Sequence, residues 1–140
     1  MSWFVHGHLP SPANLHQEID TPGHTSIIGA SYPEHIACFV SSPWSDFASE
    51  PPSGQLRLAS SATSNFTSTL MSSIAKTLPG TLFSTGGDEL NTDCYDQDAQ
   101  TQTELQSSGK TLEQALSGFV QANHDALAQM GKTPVVWEGM

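Results

Sequence analysis

From about Ala62 the apolar residues of this chain fall into helical step. Phe66, Leu70, Met71, Ile74, Ala75 and Leu78 recur at spacings of three and four, and Pro79-Gly80 halts the run. A stronger stripe begins after Thr111, which can cap a helix with Gln114 three residues on as its reciprocal partner. Leu112, Ala115, Leu116, Phe119, Asn123, Leu127 and Met130 then lie on or near one face, with Asn123 as a polar interruption and Gly131 at the C-cap position. Short segments of strand character stand at His16 to Asp20, at Thr81 to Thr85 and, after Pro134, at Val135 to Glu138. The first is stopped by Thr21-Pro22-Gly23, which is turn chemistry.

Between these elements the segment from His35 to about Leu58 is rich in Ser and Pro, with Trp44 and Phe47 interspersed, and is expected to be a long ordered loop. A second polar loop is expected after Gly86-Gly87. The order is strand, loop, helix, strand, loop, helix, strand. Two such crossover units favour a parallel sheet in an α/β fold. Three strands and two helices cannot cover both faces of a parallel sheet, so the pattern reads as a slice of a larger barrel or sheet. Residues 1–15 stand apart as a leader broken by Pro10 and Pro12. Its apolar run is short and no basic region precedes it, so it does not read as a signal peptide.

Charge narrows the choice of partner. Four Lys or Arg against fourteen Asp or Glu leave a net charge of -10 over 140 residues. Five of the acids (Asp88, Glu89, Asp93, Asp96 and Asp98) fall within eleven residues that contain no basic side chain. Such a field repels a phosphate backbone, so nucleic acid is excluded as a partner, while a neutral ligand such as a sugar is compatible. No apolar stretch approaches the length of a membrane-spanning helix.

The candidate chemistry lies where strands end. Gly86-Gly87-Asp88-Glu89 follows the second strand directly. Adjacent carboxylates repel and cost desolvation, while glycines at a strand mouth permit close approach. Parallel strands would bring Asp20, Asp88, Glu89, Trp137 and Glu138 to one edge, and His24 lies just past the Pro-Gly turn. A carboxylic acid beside a second carboxylate and a histidine is suited to giving a proton to a leaving group, as glycoside cleavage requires. The structural alternatives are a turn cap for Asp88, a hydrogen-bonded loop histidine for His24 and a core side chain for Trp137. The acids from Asp93 to Asp98 do not match a calcium loop, and the histidines form no zinc pattern, so no metal is expected. Cys38 and Cys94 fit either reduced core thiols or a bridge, and Asn65-Phe66-Thr67 is an acceptor sequon that matters only in a secreted chain.

Three segments together resemble one family. Gln17-Glu18-Ile19-Asp20-Thr21-Pro22-Gly23-His24-Thr25, Gly86-Gly87-Asp88-Glu89-Leu90-Asn91 and Val135-Val136-Trp137-Glu138 are similar to successive strand-end motifs of the β-N-acetylhexosaminidases, glycoside hydrolase family twenty, and most of all to secreted fungal chitobiases. The likeness runs over about residues 17–140 and includes Glu50-Pro51-Pro52 and the segment from Gly109 to Ala115. It implies a TIM (β/α)8 barrel, of which these would be the third, fourth and fifth strands. It further implies Glu89 as general acid and then base, and Asp88 as the anion that orients and polarises the substrate's 2-acetamido group. The acetamido oxygen would attack the anomeric carbon, giving an oxazolinium ion and net retention. Asp20 and His24 would support the acid, and Trp137 would wall the acetamide.

The implied substrates are terminal N-acetylglucosamine or N-acetylgalactosamine glycosides and chitooligosaccharides, with no cofactor. A secretory setting follows by resemblance, in which Cys38 and Cys94 could bridge two loops on one face and Asn65 could carry a glycan. Ser84 stands where many relatives have histidine, Tyr95 where many have tryptophan, and Gly139 where an acid is common. Nothing matches the first two barrel strands or the last three, with their sugar-binding arginine, tyrosine and tryptophan. The 140 residues alone are therefore expected to be inactive and at risk of not folding. The rival readings are a non-catalytic amino-sugar-binding remnant or interaction protein, and a barrel hydrolase with a different nucleophile. Hexosamine preference and oligomeric state are not legible.

Overall fold

The computed structural model describes residues 17–87 and 89–137. The leader, His16, Asp88, Glu138 and Gly139 lie outside them. Three short strands, β1 (Gln17–Glu18), β4 (Leu82–Ser84) and β5 (Thr133–Val135), form a parallel sheet in the order β1-β4-β5. Gln17 faces Phe83 across the first pair and Phe83 faces Pro134 across the second. The ladder outruns the strands: Thr21 N–H donates to Thr85 O (3.0 Å) and Trp137 N–H to Gly86 O (2.9 Å). The third strand thus starts two residues before its expected Val135. Thr133 N–H donates to Thr81 O (2.7 Å), so the next amide would point to the open side of β5, where Pro134 has none to strand.

The crossovers contain the two long helices. Helix α2 (Ser61–Thr77) is capped by Ser60, and α5 (Leu112–Gln129) carries the full Thr111–Gln114 capping box. Gly131 follows α5 with φ +73°, the left-handed conformation expected after a helix end. The face that α2 buries keeps the expected Met71 and Ala75 and adds Thr63 and Thr67, while Phe66, Leu70 and Ile74 are only partly buried. Thr67 donates its hydroxyl to Thr63 O (2.9 Å), which satisfies its polar atom within the helix and lets its methyl pack inward. Phe66 instead stacks on His35, with ring centroids 4.4 Å apart. On α5 the buried stripe is Ala115, Phe119, Asn123 and Leu127, and Asn123 Oδ1 accepts from Ser68 Oγ on α2 (3.1 Å).

The two expected loops hold regular structure. The first contains an antiparallel ribbon, β2 (Ile36–Ala37) with β3 (Gln55–Leu56), preceded by the short helix α1 (Ser26–Gly29). The second contains α3 (Thr92–Gln97) and α4 (Ala99–Ser108). Neither has an apolar stripe long enough to register as periodic. Their ends are set by side-chain caps, Asn91 Oδ1 accepting from Cys94 N–H (2.8 Å) and Asp98 Oδ2 from Thr101 N–H (2.9 Å).

Two apolar clusters result. Met71, Ala75, Phe83 and Leu127 fill the space between α2, α5 and β4. Ile36, Ala37, Leu56, Leu58, Cys94, Tyr95, Ala115 and Phe119 seat the ribbon on α3 and α5. Tyr95 is fully buried there and donates to Leu56 O (2.7 Å); burial, with Asp98 nearby, pushes its phenol well above its ordinary pKa. Among the described residues no helix is long and apolar enough to cross a membrane. Among the described residues the sheet is open at β1 and β5, as in a partial, unclosed barrel.

Candidate active site

The parallel strands deliver their C-terminal ends to one edge, where the chain reverses sharply. Gly86, Gly87 and Glu89 have φ of +72°, +105° and +52°, and His24 has φ +53°. The first glycine is demanded by contact: a Cβ on Gly86 would lie 1.8 Å from Asp20 Oδ1 and 2.5 Å from Asp20 Cα. That close approach lets Gly87 N–H donate to Asp20 Oδ1 (2.9 Å). Ser84 Oγ accepts the amide of Gly86 (3.2 Å), so this serine braces the turn.

The left-handed turn at His24 brings its ring back over the strand end. Its Nε2 lies 3.2 Å from Glu89 Oε2 and 3.9 Å from Asp20 Oδ2. Asp20, His24 and Glu89, named from sequence, are therefore gathered into one cluster from two strand ends. The Glu89 side chain is 39 % exposed, so it is held by an imidazole yet open to a ligand. Chemically this is a carboxyl group with a neighbour able to compensate its charge, and room to reach an acceptor oxygen. Asp88 lies outside the described residues. Trp137 sits at the same edge through its bond to Gly86 O, and its side chain is exposed rather than packed in the core.

Beneath the edge, Thr85 Oγ1 donates to Val135 O (3.3 Å) and lies 3.1 Å from His124 Nε2 on α5. Burial lowers the His124 pKa below its ordinary value, against the opposing charge of Asp125. A disulfide joins Cys38 beside the ribbon to Cys94 in α3, with Cα atoms 6.0 Å apart. Arg57 reinforces that link. Its guanidinium donates to both oxygens of Asp98 (2.9 and 3.0 Å for the two shortest contacts) and to the carbonyls of Pro33 and Glu34. Burial acts to raise the Asp98 pKa, but the bonds from Arg57 and Thr101 and the Arg57 charge hold it below the usual carboxylate value.

Two residues beside the cluster were not singled out as site residues from sequence. Glu50 and Gln55 line, with His24 and Glu89, a recess of about 10 Å³, the room of one water. A wider cleft of about 500 Å³ opens next to it, lined by His24, Ile27, Phe39, Pro51 and Pro52 among others. A lone Gln in a Ser- and Pro-rich stretch carries no periodicity or spacing that could have marked it. Among the described residues no group of three or more His, Cys, Asp or Glu is placed to hold a metal.

Comparison with known proteins decides the family. The model of the catalytic domain of glycosyl hydrolase family 20 matches residues 14–140. The chain belongs to this family. A beta-hexosaminidase of Arthroderma benhamiae is 39% identical over 124 residues, covering 86% of the chain and 20% of that protein. Beta-hexosaminidase 1 of Arabidopsis thaliana is 32% identical over 129 residues, covering 89% and 21%. The structure of the Flavobacterium johnsoniae chitobiase superposes with a TM-score of 0.66 at 26% identity, covering 86% of the chain and 18% of that protein. The chain thus spans about a fifth of the length of the family 20 relatives it matches. Its parallel sheet and crossover helices are a partial, unclosed piece of the family 20 catalytic fold, and the Asp20–His24–Glu89 cluster lies at the C-terminal edge of that piece.

Proposed function

We propose that the chain carries the proton-donating part of a β-N-acetylhexosaminidase site of the secreted fungal chitobiase type, on the third to fifth strands of a TIM barrel. The observation that carries this reading is the 3.2 Å contact between His24 and Glu89 at the strand edge of a family 20 domain. Glu89 protonates the glycosidic oxygen as the substrate's own acetamido oxygen attacks the anomeric carbon and the bond to the leaving group breaks. Water then opens the oxazolinium ion, returns a proton to Glu89 and leaves the configuration retained. Asp88 compensates the positive charge that develops on the acetamido nitrogen, an interaction strongest in the transition state. An intramolecular nucleophile also removes much of the entropic barrier. The Trp137 indole offers an apolar wall to the acetamide methyl.

The substrates are non-reducing terminal N-acetylglucosamine or N-acetylgalactosamine glycosides, including chitooligosaccharides. The Cys38–Cys94 disulfide supports an oxidising, secretory setting, and Asn65 is exposed on α2, where a glycan could be carried.

A polypeptide of these 140 residues alone is expected to be silent on a chromogenic β-N-acetylglucosaminide. The test places residues 17–137 in the matching segment of the Arthroderma benhamiae beta-hexosaminidase. Hydrolysis by that chimera, reduced on the order of 10²–10⁴-fold by Glu89→Gln, is the expected result. The 2-hydroxy glycoside should not be cleaved. A folded chimera indifferent to Glu89→Gln, or equally fast on both glycosides, would overturn the reading. Saturable amino-sugar binding without hydrolysis would favour a non-catalytic role.

A further inference from the structure

The acid stands on a loop whose backbone is unfavourable without support. Glu89 adopts φ +52°, a left-handed conformation that a residue with a Cβ holds only when its surroundings over-determine it. Upstream, the support is the Asp20 carboxylate on Gly87 N–H. Downstream, it comes from a single buried side chain. Gln55 is 3% exposed, donates Nε2–H to Asn91 O (2.6 Å) and accepts Asn91 N–H on Oε1 (3.1 Å). This reciprocal pair occupies both ends of the amide and fits only one of its orientations.

The same two-residue strand also holds the other half of the cluster. Leu56 N–H donates to Pro22 O (2.9 Å), two residues before His24. Strand β3 therefore grips the turn that presents His24 with its backbone, and the loop that presents Glu89 with the Gln55 side chain. Asn91 is itself the cap of α3, so the grip passes into a helix anchored by the disulfide. We infer that Gln55 is a positioning residue for the acid, setting the His24–Glu89 separation from β3. This inference rests on the assignment of Glu89 as proton donor.

A merely structural residue would slow all substrates alike. In kcat/KM, which reports glycosidic bond cleavage and not the later base step on water, a residue that aims the acid matters only where the leaving group needs a proton. In the chimera, Gln55→Met keeps the side-chain length and removes both hydrogen bonds. Expected is a kcat/KM on chitobiose lowered on the order of tenfold or more by misplacement of the carboxyl. The kcat/KM on the 2,4-dinitrophenyl glycoside, whose phenolate leaves without protonation, should stay within about twofold. Glu89→Gln is run in parallel. If that variant shows no such dependence on leaving group, the acid assignment itself fails. If it shows the dependence while Gln55→Met slows both substrates equally, or neither, the positioning role is overturned and the acid stands. A second measurement uses the folded chimera: exchange of the Asn91 amide hydrogen should accelerate in Gln55→Met while the α5 amides keep their protection. An unchanged Asn91 amide would refute the inference without any turnover assay.

Discussion

Replacing Gly86 by alanine places a methyl group where Asp20 already is. The new Cβ would meet Asp20 Cα at 2.5 Å, against an ordinary contact distance of 3.4–4 Å, so β1 must retreat by about an ångström. Two losses follow. A side chain at φ +72° costs about 1–2 kcal/mol. Displacing the carboxylate breaks its bond from Gly87 N–H, worth about 1.5–3 kcal/mol for a charged acceptor. The sum is about 2.5–5 kcal/mol, a large part of the stability of a small domain. Gly109 supplies the control. Its φ is +66°, yet nothing lies within 4 Å of the Cβ it would carry, so Gly109→Ala bears only the backbone cost of about 1–2 kcal/mol. Urea unfolding of both variants and the parent, followed by circular dichroism with the disulfide intact, reads the difference directly. Equal destabilisation by the two substitutions would refute the close packing of Asp20 on Gly86, and with it the account of how the acid turn is held.

Replacing both Cys38 and Cys94 by alanine should cost about 4 kcal/mol by chain entropy, since the bridge closes a loop of 56 residues; an unchanged urea midpoint would count against it. Arg57→Met leaves the Asp98 carboxylate short of its partner and should cost about 2–4 kcal/mol, scored by thermal unfolding. Because Asp98 is held below its ordinary pKa, its stabilisation is present above about pH 4 and is lost as pH falls through the lowered value, and Arg57→Met should flatten that acid limb. For His124 the folded pKa is also lowered, so the unfolded chain takes up the proton first: stability is level above about pH 6.5 and declines below it towards the folded value. His124→Gln should abolish that decline, and a persisting slope would remove His124 as its cause.

The two long helices and the parallel sheet were legible because their signals are local. The Thr111–Gln114 box, Gly131 after the last turn and the turn at Thr21-Pro22-Gly23 each act within a few residues. Helices α3 and α4 were not legible, since most of their residues are polar and their ends depend on the caps Asn91 and Asp98 rather than on an apolar face. The buried face of α2 was legible at Met71 and Ala75 but not at Thr63 and Thr67, for a related reason. Thr63 and Thr67 look polar in a hydrophobicity pattern, but the Thr67 hydroxyl donates to Thr63 O and the Thr63 hydroxyl pairs with His35 Nδ1, so they can lie inside.

By itself the sequence pointed to the family, the order of the parallel strands and long helices, and the candidate site residues, because residue type and spacing carry those directly. Only the tertiary structure decided which of them meet. Asp20 and Gly86 are 66 positions apart, as the numbering shows, and touch because parallel pairing sets β1 beside β4 in one register. The His24–Glu89 distance depends on two left-handed residues and on β3, an element without a sequence signature. Contacts of that kind arise from the packing of distant segments, and no local pattern encodes them.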